Sequence, residues 1–127
     1  MAFTILAVDD ERDVTDLLHR HLTQAGYDVL TAASGREGIE TSRCRRPDLV
    51  LLDLMLPDID GFGICEILRR SAATAAIPVM LITAWATTDA RHLDLELGAL
   101  DYVTKPFSPK TLVERVNRLL EARRSRK

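Results

Sequence analysis

The sequence is poor in cysteine and contains no long apolar run, and both shortages narrow the class of protein. Its two cysteines, Cys44 and Cys65, lie 21 residues apart without a CxxC pattern, which predicts two reduced thiols in a cytosolic protein. No segment is apolar for long enough to cross a bilayer. The start MAFTILAVDDERD also lacks the basic leader and long apolar region of a signal peptide. We therefore expect a cytoplasmic protein that does not bind a membrane.

The sequence also has almost no net charge. The formal value of −2 gives no global attraction to nucleic acid, so we predict no direct nucleic-acid binding by this domain. The basic end, EARRSRK, is short, and helix-end or linker chemistry explains such a tail more often than a binding arm does. The 127 residues, of which 46% are hydrophobic, are enough to bury one core. We predict one domain over residues 1–122 and a basic tail, or the start of a linker, over residues 123–127.

Five short apolar segments alternate with segments of helical periodicity. The predicted strands are Phe3–Val8, Asp28–Thr31, Leu49–Asp53, Pro78–Thr83 and Asp101–Thr104. The first, third and fourth are almost continuously apolar, which suits strands that are covered on both faces. Alternation of strands and helices builds a parallel sheet with helices on both faces. The sequence therefore predicts an α/β fold.

The helices are predicted from apolar stripes and capping residues. They are a helix with the stripe Val14–Leu22 that stops near Gly26, a second opened by the capping box Ser34–Glu37, a third from Gly61 to about Ser71, a fourth over residues 88–98, and a fifth opened by Ser108 and Pro109. The fourth contains Leu93, Leu95 and Leu97, whose spacing of two suits a strand. We predict a helix there because a capping Thr or Asp precedes the segment and Gly98 follows it.

Polar side chains collect where the predicted strands end. They are Asp9 and Asp10 after the first strand, Asp53 at the end of the third, Thr83 at the end of the fourth and Lys105 after the fifth. In a parallel sheet these ends meet at one edge, where ligands bind. Three crowded carboxylates need a cation, and hard oxygen ligands suit Mg²⁺ or Mn²⁺. A lysine suits a phosphoryl oxygen, and no glycine-rich loop offers to hold a nucleotide. The sequence predicts a site for one phosphoryl group and a divalent cation.

Each of these residues taken alone has a more ordinary explanation. Asp9 and Asp10 could cap the first helix, Asp53 could bind backbone amides, Lys105 could be a solvated turn lysine, Thr83 could be a plain strand residue, and Asp58 and Asp60 could be turn formers after Pro57. Only the combination of three carboxylates, a hydroxyl and an ammonium at one edge favours the phosphoryl site.

Four motifs in order carry a resemblance to a known family. They are VDDE after the first strand, LLDLMLPDIDGF around the third, ITA at the fourth and GALDYVTKPF around the fifth. Asp53 precedes Thr83 by 30 residues and Lys105 by 52. In these motifs and spacings the chain resembles the receiver domain of two-component response regulators, from end to end. The resemblance implies a flavodoxin-like (βα)5 fold, a doubly wound parallel sheet with strand order 2-1-3-4-5 and helices on both faces.

The resemblance also implies a chemistry for the site. Asp53 would be the phosphoacceptor, whose carboxylate attacks the phosphohistidine of a histidine kinase or phosphotransfer protein. Asp9, Asp10 and Asp53, with the backbone carbonyl of Met55, would hold Mg²⁺, or Mn²⁺ in its place. The metal and Lys105 would stabilise charge on the transferring group. A cis peptide bond between Lys105 and Pro106, typical of the family, would aim the lysine at the site.

In this family the phosphoryl group switches the surface built from the fourth helix, fifth strand and fifth helix. Thr83 would bind a phosphoryl oxygen, and Tyr102 would turn inward into the space that Thr83 vacates. The switched surface would control an output domain or partner protein, and it would support a phosphorylation-dependent dimer. On this reading the protein is not an enzyme but a phosphorylatable switch that assists its own phosphorylation and dephosphorylation.

The sequence departs from the family at two places. Regulators with winged-helix outputs carry acidic residues at the positions of Leu100 and Thr111, where they build a symmetric dimer. Those acidic residues form a salt-bridge network across the dimer, and of that network only Arg91 and Arg115 remain here, so the prediction of the dimer is weakened. Leu100, with Leu95, could instead offer an apolar contact. Met55 and Trp85 are bulky at positions where the family controls access of water to the acyl phosphate. We expect slow self-dephosphorylation.

Two other functions compete with the phosphorylated switch. A phosphatase that forms an aspartyl-phosphate would need a general acid, but Met55 stands where a haloacid-dehalogenase-type phosphatase has aspartate. A binding module that is never phosphorylated would not need the intact set of acidic pair, acceptor, threonine and lysine.

Overall fold

The computed structural model describes residues 2–84 and 101–125, with side chains to residue 122. The predicted fourth helix, residues 88–98, lies outside the described residues. So do Trp85, Arg91, Leu95 and Leu100, and the expectations that concern them stay predictions.

Five parallel strands form one sheet in the order β2-β1-β3-β4-β5. They are β1 (Thr4–Val8), β2 (Asp28–Ala32), β3 (Leu49–Asp53), β4 (Val79–Thr83) and β5 (Asp101–Thr104). The predicted parallel sheet and its strand order are therefore confirmed. The predicted strand ends differ by one residue at three places, and the fourth strand begins after Pro78, which has no N–H to donate to the sheet.

Four helices occur in the described ranges. They are α1 (Arg12–Gln24), α2 (Gly35–Arg45), α3 (Gly61–Arg70) and a C-terminal helix (Pro109–Ser125). The predicted caps are present: the Ser34 hydroxyl accepts a hydrogen bond from the Glu37 N–H at 3.2 Å, and the Ser108 hydroxyl accepts one from Thr111 at 3.4 Å. Gly26 follows α1 with φ +99°, the left-handed conformation that glycine adopts without a steric cost.

Alternate residues of the strands point to two apolar cores on opposite faces of the sheet. One core joins Leu6, Val50 and Leu52 to α2 and α3 through Ile39, Ile64 and Leu68. The other joins Ile5, Leu51 and Met80 to α1 and the C-terminal helix through Leu18, Leu112 and Val116. Helices on both faces make this a doubly wound α/β fold, as predicted. None of the described helices is long and apolar enough to cross a membrane.

The strand register sets where the polar residues lie. Val8 is level with Leu52, Asp53 with Ile82, and Thr83 with Thr104. The residues that follow β1, β3, β4 and β5 therefore meet at the carboxyl edge of the sheet, the edge at which open parallel sheets bind ligands.

Candidate functional site

Three carboxylates meet at the carboxyl edge of the sheet. Asp9, Asp10 and Asp53 each offer an oxygen atom, and these atoms lie within 4.8 Å of one another. Asp9 and Asp53 are only 3% and 4% exposed, whereas Asp10 is exposed. Carboxylates this close repel one another when all are ionised, and hard oxygen atoms are the ligands that Mg²⁺ and Mn²⁺ bind. The donor set fits the predicted divalent cation.

Lys105 supplies the positive charge of the site. Its Nζ lies 2.8 Å from Asp9 Oδ2, 3.1 Å from Glu11 Oε1 and 3.2 Å from Asp53 Oδ2. The lysine side chain is only 15% exposed, so it is not the solvated turn lysine of the ordinary explanation. Burial lowers the pKa of Lys105, but hydrogen bonds to Asp9 and Glu11 and the charge of Asp53 outweigh it. The net result is a pKa raised above the usual 10.5, and the lysine stays charged.

Asp9 experiences the opposite balance. Burial raises its pKa, and the charge of Asp53 adds to that effect. The hydrogen bonds from Lys105 and from the Glu11 N–H, which lies 2.9 Å from Asp9 Oδ1, lower the pKa without cancelling the increase. Neither Asp9 nor Asp10 is the N-cap of α1, because that residue is Glu11, whose side chain makes no capping hydrogen bond. The capping explanation of this acidic pair is therefore wrong.

The loop after Asp53 is fixed to the strand end. The Met55 N–H donates to Asp53 Oδ1 at 3.0 Å, and the Gly61 N–H donates to the Leu54 carbonyl at 3.0 Å. The side chain of Met55 is 57% exposed beside the site. The role of the Met55 carbonyl as a metal ligand stays a prediction.

Thr83 and Tyr102 lie on the adjacent strands β4 and β5, with Thr83 at the end of its strand and Tyr102 level with Leu81. Thr83 is fully buried, and its carbonyl accepts a hydrogen bond from the Lys105 N–H at 2.8 Å. Tyr102 is half-buried and packs against the core shared with α2 and α3. The Lys105-Pro106 peptide bond is cis, as the resemblance implies. The switch roles of Thr83 and Tyr102 stay predictions.

Two contacts at this edge were missed by sequence reasoning. Glu11 reaches Lys105, and Asp58 accepts hydrogen bonds from Gly35 at 2.8 Å and Arg36 at 3.0 Å, at the N-terminus of α2. The backbone N–H groups of Arg36 and Gly35 lower the pKa of Asp58. Glu11 could have been suspected from its place in VDDE, but nothing near Asp58 in the sequence indicates a partner in another helix. The other predicted turn residue, Asp60, caps α3 by accepting from the Gly63 N–H at 2.8 Å.

On the surface of β5 and the C-terminal helix, Arg115 is engaged within the chain. Its Nη1 lies 3.1 Å from Asp101 Oδ1 and donates to the Tyr102 carbonyl at 2.6 Å. Thr111 is exposed on the same helix. The predicted dimer stays a prediction.

Comparison with known proteins decides the family. The family model of the response regulator receiver domain matches residues 5–117 of the 127 residues. The chain belongs to the response regulator receiver domain family. The structure of a receiver domain protein (CheY-like) from Methanospirillum hungatei JF-1 superposes on all of this receiver with a TM-score of 0.91, at 27% identity and with full coverage of both chains.

The receiver is also similar to parts of longer regulators. It is 45% identical to the probable transcriptional regulator ycf27 of Cyanophora paradoxa, over 91% of this chain and 47% of that protein. It is 44% identical to the alkaline phosphatase synthesis transcriptional regulatory protein PhoP of Bacillus subtilis, over 91% of this chain and 48% of PhoP. This receiver thus spans about half the length of the curated relatives it matches.

Proposed function

We propose that this receiver accepts a phosphoryl group on Asp53 from a histidine kinase or phosphotransfer protein, in a Mg²⁺-dependent reaction. One observation carries the proposal: the Asp53 carboxylate lies at the edge of the sheet within 4.8 Å of the Asp9 and Asp10 oxygens and 3.2 Å from the Lys105 ammonium. A nucleophilic carboxylate, a cation site and a fixed positive charge are the parts that phosphoryl transfer requires from a protein.

The transfer balances without a further reactant. An Asp53 oxygen forms a bond to phosphorus while the bond from phosphorus to the donor's imidazole nitrogen breaks, and that nitrogen keeps the electron pair. Mg²⁺, held by Asp9, Asp10 and Asp53 with the Met55 carbonyl, would supply charge stabilisation when bound. Lys105 binds a phosphoryl oxygen, and Thr83 donates its hydroxyl to another. Hydrolysis later returns inorganic phosphate and the Asp53 carboxylate, so the protein acts as a switch that resets itself.

The longer relatives support a role in transcription. They are named as transcriptional regulators, and this chain matches only about half of each. The phosphorylated receiver would shift the surface of β5, the C-terminal helix and the segment between β4 and β5 toward an active arrangement, through Thr83 and Tyr102. That surface would control an output domain in the cytoplasm, with a phosphorylation-dependent dimer as one means of doing so.

A mass measurement tests the proposal. The protein is incubated with Mg²⁺ and acetyl phosphate, and the intact mass is compared with that of Asp53→Asn. We expect one added phosphoryl group in the wild type and none in Asp53→Asn. Removing Mg²⁺ with a chelator should abolish the labelling.

Three other results would contradict this function. Persistent labelling of Asp53→Asn would move the acceptor to another residue. No labelling of the wild type would favour a module that is never phosphorylated. Continuous release of phosphate at many turnovers per minute would favour a phosphatase.

A further inference from the structure

Among the three carboxylates that contact Lys105 in the described part of the chain, Glu11 is the one that the phosphoryl-transfer chemistry does not use. We propose that Glu11 is a positioning residue. In the unphosphorylated protein Glu11 accepts a hydrogen bond from the Lys105 ammonium, and after phosphorylation an oxygen of the phosphoryl group replaces Glu11 as the acceptor. The displacement of Glu11 from Lys105 by the phosphoryl group rests on the proposed function. The pairing of Glu11 with Lys105 in the unphosphorylated protein does not. Glu11 acts through Lys105 and does not touch the reacting atoms.

The donors of Lys105 are fully used in the structure. An ammonium group has three N–H donors, and three carboxylate oxygens lie within reach, on Asp9, Glu11 and Asp53. A phosphoryl oxygen that arrives on Asp53 therefore finds no spare donor on the lysine. One existing contact must be given up before Lys105 can bind the phosphoryl group.

Burial indicates which contact exchanges. The Asp9 side chain is 3% exposed, so breaking its contact with Lys105 would leave a buried charge unpaired, and the contact with Asp53, whose side chain is 5% exposed, keeps the lysine beside the acceptor. The Glu11 side chain is 63% exposed, so water solvates its carboxylate when the contact with Lys105 breaks. An ion pair with an exposed partner contributes little to the stability of a protein. Glu11 is therefore the contact that Lys105 can release at least cost.

The backbone keeps Glu11 in place for this role. Its N–H donates to Asp9 at 2.9 Å, and its carbonyl accepts from Val14 at 3.0 Å and Thr15 at 3.2 Å in the first turn of α1. The side chain thus starts from a fixed point beside the lysine. A surface glutamate that met Lys105 by chance at a helix N-cap would show the same backbone bonds and the same distances, so the two cases are separated by experiment.

The first measurement concerns the pairing and needs no phosphorylation. The chain has three lysines, Lys105, Lys110 and Lys127, so ¹⁵N,¹³C-lysine labelling gives a simple NMR spectrum of the side-chain ammonium groups. We expect hydrogen exchange of the Lys105 ammonium to become faster in Glu11→Gln. The matched control is Asp13→Asn, which removes the same charge from the first turn of α1. Asp13 is not among the carboxylates that contact Lys105 in the described part of the chain.

The second measurement concerns displacement. Beryllofluoride is titrated at saturating Mg²⁺ as an analogue of the phosphoryl group, and its Kd is measured for each variant. We expect Glu11→Gln to bind it about two- to fivefold more tightly than the wild type, the range that an exposed ion pair spans. Asp13→Asn should match the wild type. In about 1 M salt the advantage of Glu11→Gln should shrink, because salt screens the exposed pair.

Each result decides one part of the proposal. Unchanged exchange of Lys105 in Glu11→Gln would overturn the pairing. Equal gains in beryllofluoride affinity for Glu11→Gln and Asp13→Asn would show a general charge effect and overturn displacement, as would weaker binding by Glu11→Gln. If the wild type binds no beryllofluoride, displacement falls together with the proposed function, while the exchange measurement still decides the pairing.

Discussion

The charges at the sheet edge depend on one another at the scale of single residues. Lys105 compensates Asp9 and Asp53, which are both nearly inaccessible to water. A buried carboxylate without such a partner would be costly. The same contacts leave Lys105 charged and positioned beside the acceptor. The residues that suit phosphoryl transfer are therefore also the residues that make the buried acceptor tolerable.

Asp58 gives a prediction for pH dependence at this scale. The backbone N–H groups of Arg36 and Gly35 lower its pKa below the usual 3.8 in the folded protein. A lowered pKa means that the carboxylate stabilises the fold above pH about 4 and that this contribution is lost as pH falls through the folded value. We expect Asp58→Asn to be less stable than the wild type near neutral pH. Urea unfolding from pH 7 down to pH 2 should show the two proteins converging at the acid end. A difference that stays constant over that range would contradict the role of the charge.

Met55 gives a second prediction at this scale. Its side chain is 57% exposed and follows the acceptor by two positions, where bulk would limit the approach of water to an acyl phosphate. We expect a slow loss of the phosphoryl group in the wild type and a severalfold faster loss in Met55→Ala. Met55→Leu, which keeps most of the volume, should stay slow. The measurement follows the phosphorylated mass over time with Mg²⁺ and no phosphatase, and a wild-type half-life of seconds would refute it.

At the scale of elements, the junction between β3 and α3 fixes the acceptor. Leu54 follows Asp53 directly, and Gly61 at the start of α3 packs against it. A Cβ at Gly61 would overlap Leu54 Cδ2 and would lie 2.6 Å from Leu54 Cα. The second of these atoms belongs to the backbone, so a rotamer change cannot relieve the contact. The helix start and the strand end are therefore locked together.

Gly61→Ala tests this junction. We expect a loss of about 1–3 kcal/mol in the free energy of unfolding, as for other overpacked sites, together with slower phosphorylation. Gly63→Ala is the matched control, because its Cβ would come no closer than 3.2 Å, to Ile59 Cγ2. A helical glycine costs about 0.5–1 kcal/mol relative to alanine, which offsets the tight contact with Ile59, so Gly63→Ala should lose far less stability than Gly61→Ala. Equal losses in the two variants, measured by urea unfolding, would rule out the steric explanation.

At the scale of the whole molecule, the sequence was sufficient for the fold and for the meeting of Asp9, Asp10, Asp53 and Lys105 at one edge of the sheet, whereas the roles of these residues stay predictions. Continuous apolar runs such as Leu49–Asp53 mark buried strands, and the strand order followed from the family resemblance rather than from periodicity. Contacts between distant segments could not be predicted from the sequence. An example is the hydrogen bond from the Arg36 N–H at the start of α2 to Asp58, which lies 22 residues later in the chain. Arg46 ends α2 in the left-handed conformation at φ 43°. Glycine is the residue type that usually adopts this conformation at a helix end, so the sequence did not indicate this helix end.

The metal couples the site to the stability of the whole molecule. Mg²⁺ that binds only the folded chain adds RT ln(1 + [L]/Kd), about 2.7 kcal/mol at a concentration 100 times Kd. We therefore expect Mg²⁺ to raise Tm in the wild type and in Asp13→Asn. Asp10→Asn should lose this response, because one of the three carboxylates near the cation is gone. Without metal, however, Asp10→Asn should melt above the wild type, since one source of repulsion among the carboxylates is removed. Calorimetric scans with and without a chelator measure both effects, and an unchanged Mg²⁺ response in Asp10→Asn would remove Asp10 from the metal site.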